Sequence, residues 1–127
     1  MRTLGQFDTI PENGVIAQRD GEYLMILFDF EKYESLDDAQ EVAENTYVLN
    51  SVTHKGASDY GLIIASIIND KYSTDDVQAL IANYTEAVSN DEPSDKDKEY
   101  IEEYKTFQEY RKHAKEIAKA VTEMEGV

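Results

Sequence analysis

Apolar residues follow two rhythms along this chain. Through about residue 30, and again over 46–52, they recur at every second position; over 36–43 and from residue 60 onward they recur every third or fourth. A period of two marks a strand with one buried face, and a period of 3.6 marks a helix. The stretch "GVIAQRDGEYLMILFDF" holds two apolar runs around Asp20-Gly21. Asp-Gly between such runs signals a hairpin, because both central residues of a type I′ turn need positive φ. Strands are therefore predicted at Val15–Arg19 and Glu22–Phe30. In the second, Leu24, Ile26, Phe28 and Phe30 share one face, and Tyr23, Met25 and Leu27 share the other. With both faces apolar, this strand is expected at the centre of a sheet, covered in part on each side. "TLGQFDTI" reads as an extra strand or an ordered arm. "TYVLNSVTH" is rich in β-branched and aromatic residues and predicts a third strand at Thr46–Val52. Asn50 interrupts its pattern, and a helical reading stays open.

Helical signals surround and follow that strand. In "YESLDDAQEVAEN", Ser35 is placed to cap a short helix with Asp38 three residues on, and Leu36, Ala39, Val42 and Ala43 form a narrow apolar stripe. "SDYGLIIASIINDKY" puts Tyr60, Ile63, Ile64, Ile67 and Ile68 at helical spacing. "STDDVQALIANYTEAVSN" opens on Ser73 as N-cap, with Asp75 and Asp76 in the first turn. The short "NDKYS" between these two helices predicts an antiparallel hairpin. The last helix should run from about Asp95 to Met124, roughly 45 Å at ~1.5 Å per residue. Tyr100, Tyr104, Phe107, Tyr110, Ala114, Ile117, Ala118, Val121 and Met124 fall on one apolar arc. A helix of that length outreaches a small domain, so one end is expected to project or to pair with another subunit. Tyr100, Tyr104, Phe107, Tyr110 and the enclosed Arg111 are the candidate interface, since aromatic and Arg side chains dominate contact energetics.

The predicted class is α+β. A small antiparallel sheet, the N-terminal hairpin plus one strand, comes with one short helix. A three-helix C-terminal half follows and ends in the long amphipathic helix. Residues 1–127 are expected to form one compact domain, with 89–93 a short linker before the last helix.

Composition narrows the function classes. The absence of cysteine removes disulfides, thiolate metal sites and a Cys nucleophile. The longest apolar run, "YLMILF", is far too short for a membrane helix. "RTLGQFDTIPENG" after Met1 lacks a signal-peptide core. A soluble cytoplasmic protein is expected, in the host cytoplasm if the source is viral. Net charge is −15, from 12 basic and 27 acidic residues. Such a field repels phosphate backbones and anionic lipid surfaces. No direct nucleic-acid binding and no membrane contact are expected; a basic protein partner fits, as does a homo-oligomer.

The densest cluster of chemically capable groups is "SNDEPSDKDKEYIEE". Asp91 to Glu102 has the length of an EF-hand loop, and Asp91, Asp95, Asp97, Glu99 and Glu102 fall at ligand positions. The position that needs Gly holds Lys96, and Pro93 fills another ligand position. Ser94 before a run of acids is instead the start of a helix. His54, with Ser51 and Lys55 in a loop-like region, lacks an oriented third group. His113 sits four residues after Glu109, where a surface ion pair is the ordinary reading. Neither phosphate-binding glycine motif nor HExxH occurs. No catalytic residue, cofactor or metal is assigned. What remains is charge in two patches. One comprises Asp29, Glu31, Glu34, Asp37, Asp38, Glu41 and Glu44. The other comprises Asp91, Glu92, Asp95, Asp97, Glu99, Glu102 and Glu103, seven acids against two lysines.

The leading functional expectation is a non-enzymatic acidic protein-interaction module that binds a basic partner. Its sharper form is an inhibitor that mimics DNA by presenting carboxylates to a basic cleft. A small acidic chain without catalytic motifs also has the profile of phage and mobile-element accessory proteins, which is association rather than physics. The alternatives are an assembly subunit joined through the long helix and an enzyme whose carboxylates are gathered by the fold.

Overall fold

The computed structural model describes residues 1–34 and 44–127. Four strands form one antiparallel sheet: β1 (Arg2–Gln6), β2 (Val15–Asp20), β3 (Tyr23–Lys32) and β4 (Thr46–Lys55), in the order β1-β4-β3-β2. Three helices follow: α1 (Tyr60–Lys71), α2 (Thr74–Ser89) and α3 (Asp95–Thr122). The α+β class and the long last helix are as the sequence predicts. The short helix expected over Ser35 to Ala43 lies outside the described residues.

The sheet settles two open readings. "TLGQF" contributes an edge strand, with Leu4 opposite Val48. The segment from Thr46 is a central strand that runs on to Lys55. It pairs with β1 on one side and β3 on the other. The hairpin turn lies one residue later than predicted. Asp20 pairs with Tyr23, so Gly21 and Glu22 are its central residues. Gly21 has φ +60 and Glu22 is not among the residues with positive φ. Positive φ at the first central position alone defines a type II′ turn, for which Gly is preferred.

β3 does not keep its alternation to the end. The register with β4 slips between Phe28 and Glu31, and Asp29 there takes φ +55. This bulge inserts a residue and turns the following side chain to the other face. Phe30 therefore does not share a face with Leu24, Ile26 and Phe28, as strict alternation had implied. It packs edge-on against Phe7 at 5.2 Å and Tyr47 at 6.3 Å, on the reverse side. Gly5 makes that cluster possible, since a Cβ there would lie 2.7 Å from the Phe7 ring.

The main core lies between the sheet and two helices. Leu24, Ile26, Phe28 and Val52 meet Ile63 and Ile67 of α1 and Ala114, Ile117, Ala118 and Val121 of α3. Asp59 caps α1 by accepting from the Leu62 amide at 3.0 Å. Ser73 and Asp76 cap α2 reciprocally, and Ser94 and Asp97 do the same for α3. The expected α1–α2 hairpin does not form. Both helices pack on α3 instead: α1 beside its C-terminal half and α2 along its N-terminal half. The reason is the supply of apolar surface. α3 has 28 residues, more than the sheet and α1 can cover, and its upstream aromatic residues need a cover that α2 supplies.

Candidate functional site

The α2–α3 pair is built from aromatic contacts. Tyr84 stacks on Tyr104 with centroids 4.0 Å apart. Phe107 meets Tyr72 edge-on at 5.1 Å, and Ala87 is fully buried in α2. Two adjacent helices leave a groove on each side of their line of contact, and here the two grooves differ in charge.

The first groove encloses roughly 620 Å³. Asp76 of α2 lines it, as do Glu99, Glu102 and Glu103 of α3. Tyr72, Ala79 and Leu80 supply apolar surface between them. Helical spacing explains the arrangement: 99, 102, 103 and 106 follow one face of α3, and 76, 79, 80 and 83 follow one face of α2. Lys71 also lines the groove, but its Nζ sits 4.5 Å above the Tyr110 ring in a cation–π contact. Glu99 pairs with Lys96 at 3.4 Å and Glu102 with Lys105 at 3.8 Å. Both pairs are exposed and offset the groove's charge only weakly. The second groove, roughly 540 Å³, is lined by Val77 and Ile81 of α2, Tyr104, Phe107 and Arg111 of α3, and Ala65 and Ile68 of α1 among others, so that all three helices border it. None of its described lining residues is acidic.

The predicted acidic positions separate into different roles. Glu99, Glu102 and Glu103 come together, and Asp76 lines the same groove while its Oδ2 accepts from the Ser73 amide at 3.1 Å in the α2 capping box. Asp91, Glu92 and Asp95 are exposed at the α2–α3 turn. Asp97 is occupied: its Oδ2 accepts from the Ser94 amide and from Asn90 Nδ2, each at 3.0 Å. The Ser94 amide first, and Asn90 second, hold this carboxyl below the ordinary aspartate range. Asp29 is engaged at the bulge, and Glu31 pairs with Arg2 at 3.2 Å. Glu34 and Glu44 are exposed, whereas Asp37, Asp38 and Glu41 lie outside the described residues. Of the candidate interface residues, Phe107 is buried, and Tyr104, half-buried, stacks on Tyr84. Tyr100 and Tyr110 are half-buried, and Arg111 is exposed. Burial, with Asp70 and then Asp29 nearby, pushes the Tyr110 phenol up to about 12.

Two histidine arrangements differ from expectation. His113 pairs with Asp29, not Glu109: Nε2–H donates to Oδ1 at 2.7 Å. Asp29 Oδ2 accepts from Asn50 Nδ2 at 3.1 Å, and Arg2 Nη1 donates to the Asp29 carbonyl at 2.8 Å. The network ties β1, β3, β4 and α3 together at the bulge. Its partners are 84 residues apart, so no local spacing announces it; the sequence signal is a lone Asp inside the apolar run "MILFDF". His54 is not in a loop. It lies in β4, 4% exposed, facing α1. Its Nε2–H donates to the Ala57 carbonyl at 2.9 Å, and Nδ1 accepts from Ser66 Oγ–H at 2.7 Å. A carbonyl only accepts, so the neutral ring carries its proton on Nε2. This is a satisfied core histidine.

No helix among the described residues is long and apolar enough to cross a membrane. The described residues hold no group of three or more His, Asp or Glu side chains arranged to hold a metal ion. No family model, no curated protein and no solved structure matches this chain.

Proposed function

We propose that this chain is a non-enzymatic acidic protein-interaction module that binds a basic protein partner along the first α2–α3 groove. One observation carries the reading. Carboxylates from both helices, Asp76 on one and Glu99, Glu102 and Glu103 on the other, line a single groove with an apolar component. Acidic groups scattered for solubility would not need to converge. Opposite charge on a partner would speed encounter and fix its register. In its sharper form the module is an inhibitor that occupies a nucleic-acid-binding cleft, and duplex DNA then competes with it for the partner.

The variant E99Q/E102Q/E103Q tests the groove. These residues are exposed, so the helices should keep their far-ultraviolet circular dichroism. Binding to a polybasic peptide should weaken about tenfold, ~1.4 kcal/mol, at low ionic strength. The wild-type affinity should itself fall as salt rises. Equal binding by variant and wild type would remove the groove from the proposal.

The second groove supports a second reading, an assembly subunit. Ile81 is 48% exposed there, and no described acid lines that surface to oppose a second acidic chain.

A further inference from the structure

We propose that the occupant of the acidic groove is a basic amphipathic helix of the partner, which docks as the third member of a bundle with α2 and α3. The inference rests on the reading of that groove as the binding face, and it adds the partner's secondary structure and pattern.

Three features point to a helix rather than an extended basic tail. The first is shape. Two helices packed side by side present a trough that a third helix fills by ridges-into-grooves packing. The trough holds roughly 620 Å³. Its lining runs from Asp76 to Asn83 on α2 and from Glu99 to Thr106 on α3, about two helical turns on each, a stretch that two turns of a docked helix would cover. The second is the distribution of polarity. Leu80, Ala79 and Tyr72 offer apolar surface, and carboxylates from α2 and α3 accompany it. A helix with one apolar stripe between two lysine or arginine rows satisfies both parts at once. An extended basic tail uses only the charges. The third is the incomplete burial of α2. Ala87 is its one buried residue, and on this groove Ala79 is exposed and Leu80 half-buried. α2 packs chiefly on α3, so a third helix would give it the cover that a core helix ordinarily has.

Peptide binding to the full chain separates the helix inference from the broader one. The chain has no tryptophan, so a single tryptophan in the peptide reports binding by fluorescence. The probe is an 18-residue peptide of leucine and lysine with leucines at i, i+3, i+4 and i+7. The control has the same residues in an order that scatters the leucines around the helix. The amphipathic peptide should bind at least tenfold more tightly than the scrambled one and gain helical circular dichroism on binding. Ala79→Glu places a charged side chain on the groove's apolar surface while making the groove more acidic. It should weaken the amphipathic peptide at least tenfold, although charge alone would strengthen it.

Equal affinity for the two peptides, or tighter binding to Ala79→Glu, would overturn the helix and leave the basic-partner reading standing. No binding of either peptide at low salt would remove both. A free chain that sediments as a dimer, and that Ala79→Glu renders monomeric, would mean that a second copy fills the groove; that too overturns the inference.

Discussion

His54 shows how a single residue changes meaning once its surroundings are known. In the sequence it is a polar residue near Ser51 and Lys55. In the fold it bridges β4 and α1 by taking a hydrogen bond from Ser66 and giving one to Ala57. Replacing it by Leu would leave the Ser66 hydroxyl without this partner, whereas the Ala57 carbonyl keeps the Asp59 amide at 2.8 Å. A polar group shielded from water and left unpaired costs about 1–3 kcal/mol. His54→Leu should therefore lower the urea midpoint substantially with little change in slope. His54→Gln, which can reach one of the two partners, should lose less. Asp29 is the opposite case, a residue whose backbone is the cost and whose side chain is the compensation. The left-handed conformation costs about 1–2 kcal/mol for an ordinary L-residue. Asp29 offsets it with His113 and Asn50, while Arg2 holds its carbonyl.

At the scale of elements, the helix starts are the most legible feature. Ser73 and Ser94, each with an acid three residues on, form the capping boxes that their spacing implies. The acid-rich stretch around Ser94 thus has a structural use for Asp97, separate from the use proposed for Glu99, Glu102 and Glu103. The Asp97 carboxyl titrates below 3.8, the value of an unperturbed aspartate. Between the folded and unfolded values the native state binds fewer protons, so stability falls as pH drops through that interval. Titration of the Asp97 side chain by NMR should give a midpoint below 3.8. Asn90→Ala, which removes the second donor, should move that midpoint part of the way back, whereas Ser94→Ala keeps the amide that donates to Asp97 and should chiefly cost about 1 kcal/mol of stability. A midpoint unchanged by Asn90→Ala would mean that the Ser94 amide alone holds the carboxylate. The strands were less legible. Alternation located β2 and β3, but it misplaced the turn by one residue and could not see the bulge, because both depend on backbone angles at Gly21 and Asp29.

Over the whole molecule, α3 is the organising element. Its C-terminal half lies over the sheet with α1, and its N-terminal half forms an arm with α2. The arm's aromatic contacts are Tyr84 on Tyr104 and Tyr72 on Phe107. The surfaces proposed for partners are the two grooves. If the second mediates assembly, sedimentation velocity should show a species heavier than one chain that grows with concentration. Ile81→Asp, which adds a charge at an exposed apolar site, should return it to monomer. A monomer at all concentrations would remove that reading. The sequence by itself determined the class, the positions of the last three helices, the caps Ser73 and Ser94 and the sign of the charge. Periodicity and capping act within one or two turns, and net charge is a sum that folding does not alter. Tertiary structure alone decided that α2 and α1 both pack on α3, that Asp29 meets His113, and that Asp76 joins the α3 carboxylates. Those pairings join residues far apart in the chain, and they follow from which apolar faces cover one another once all elements compete for the same core.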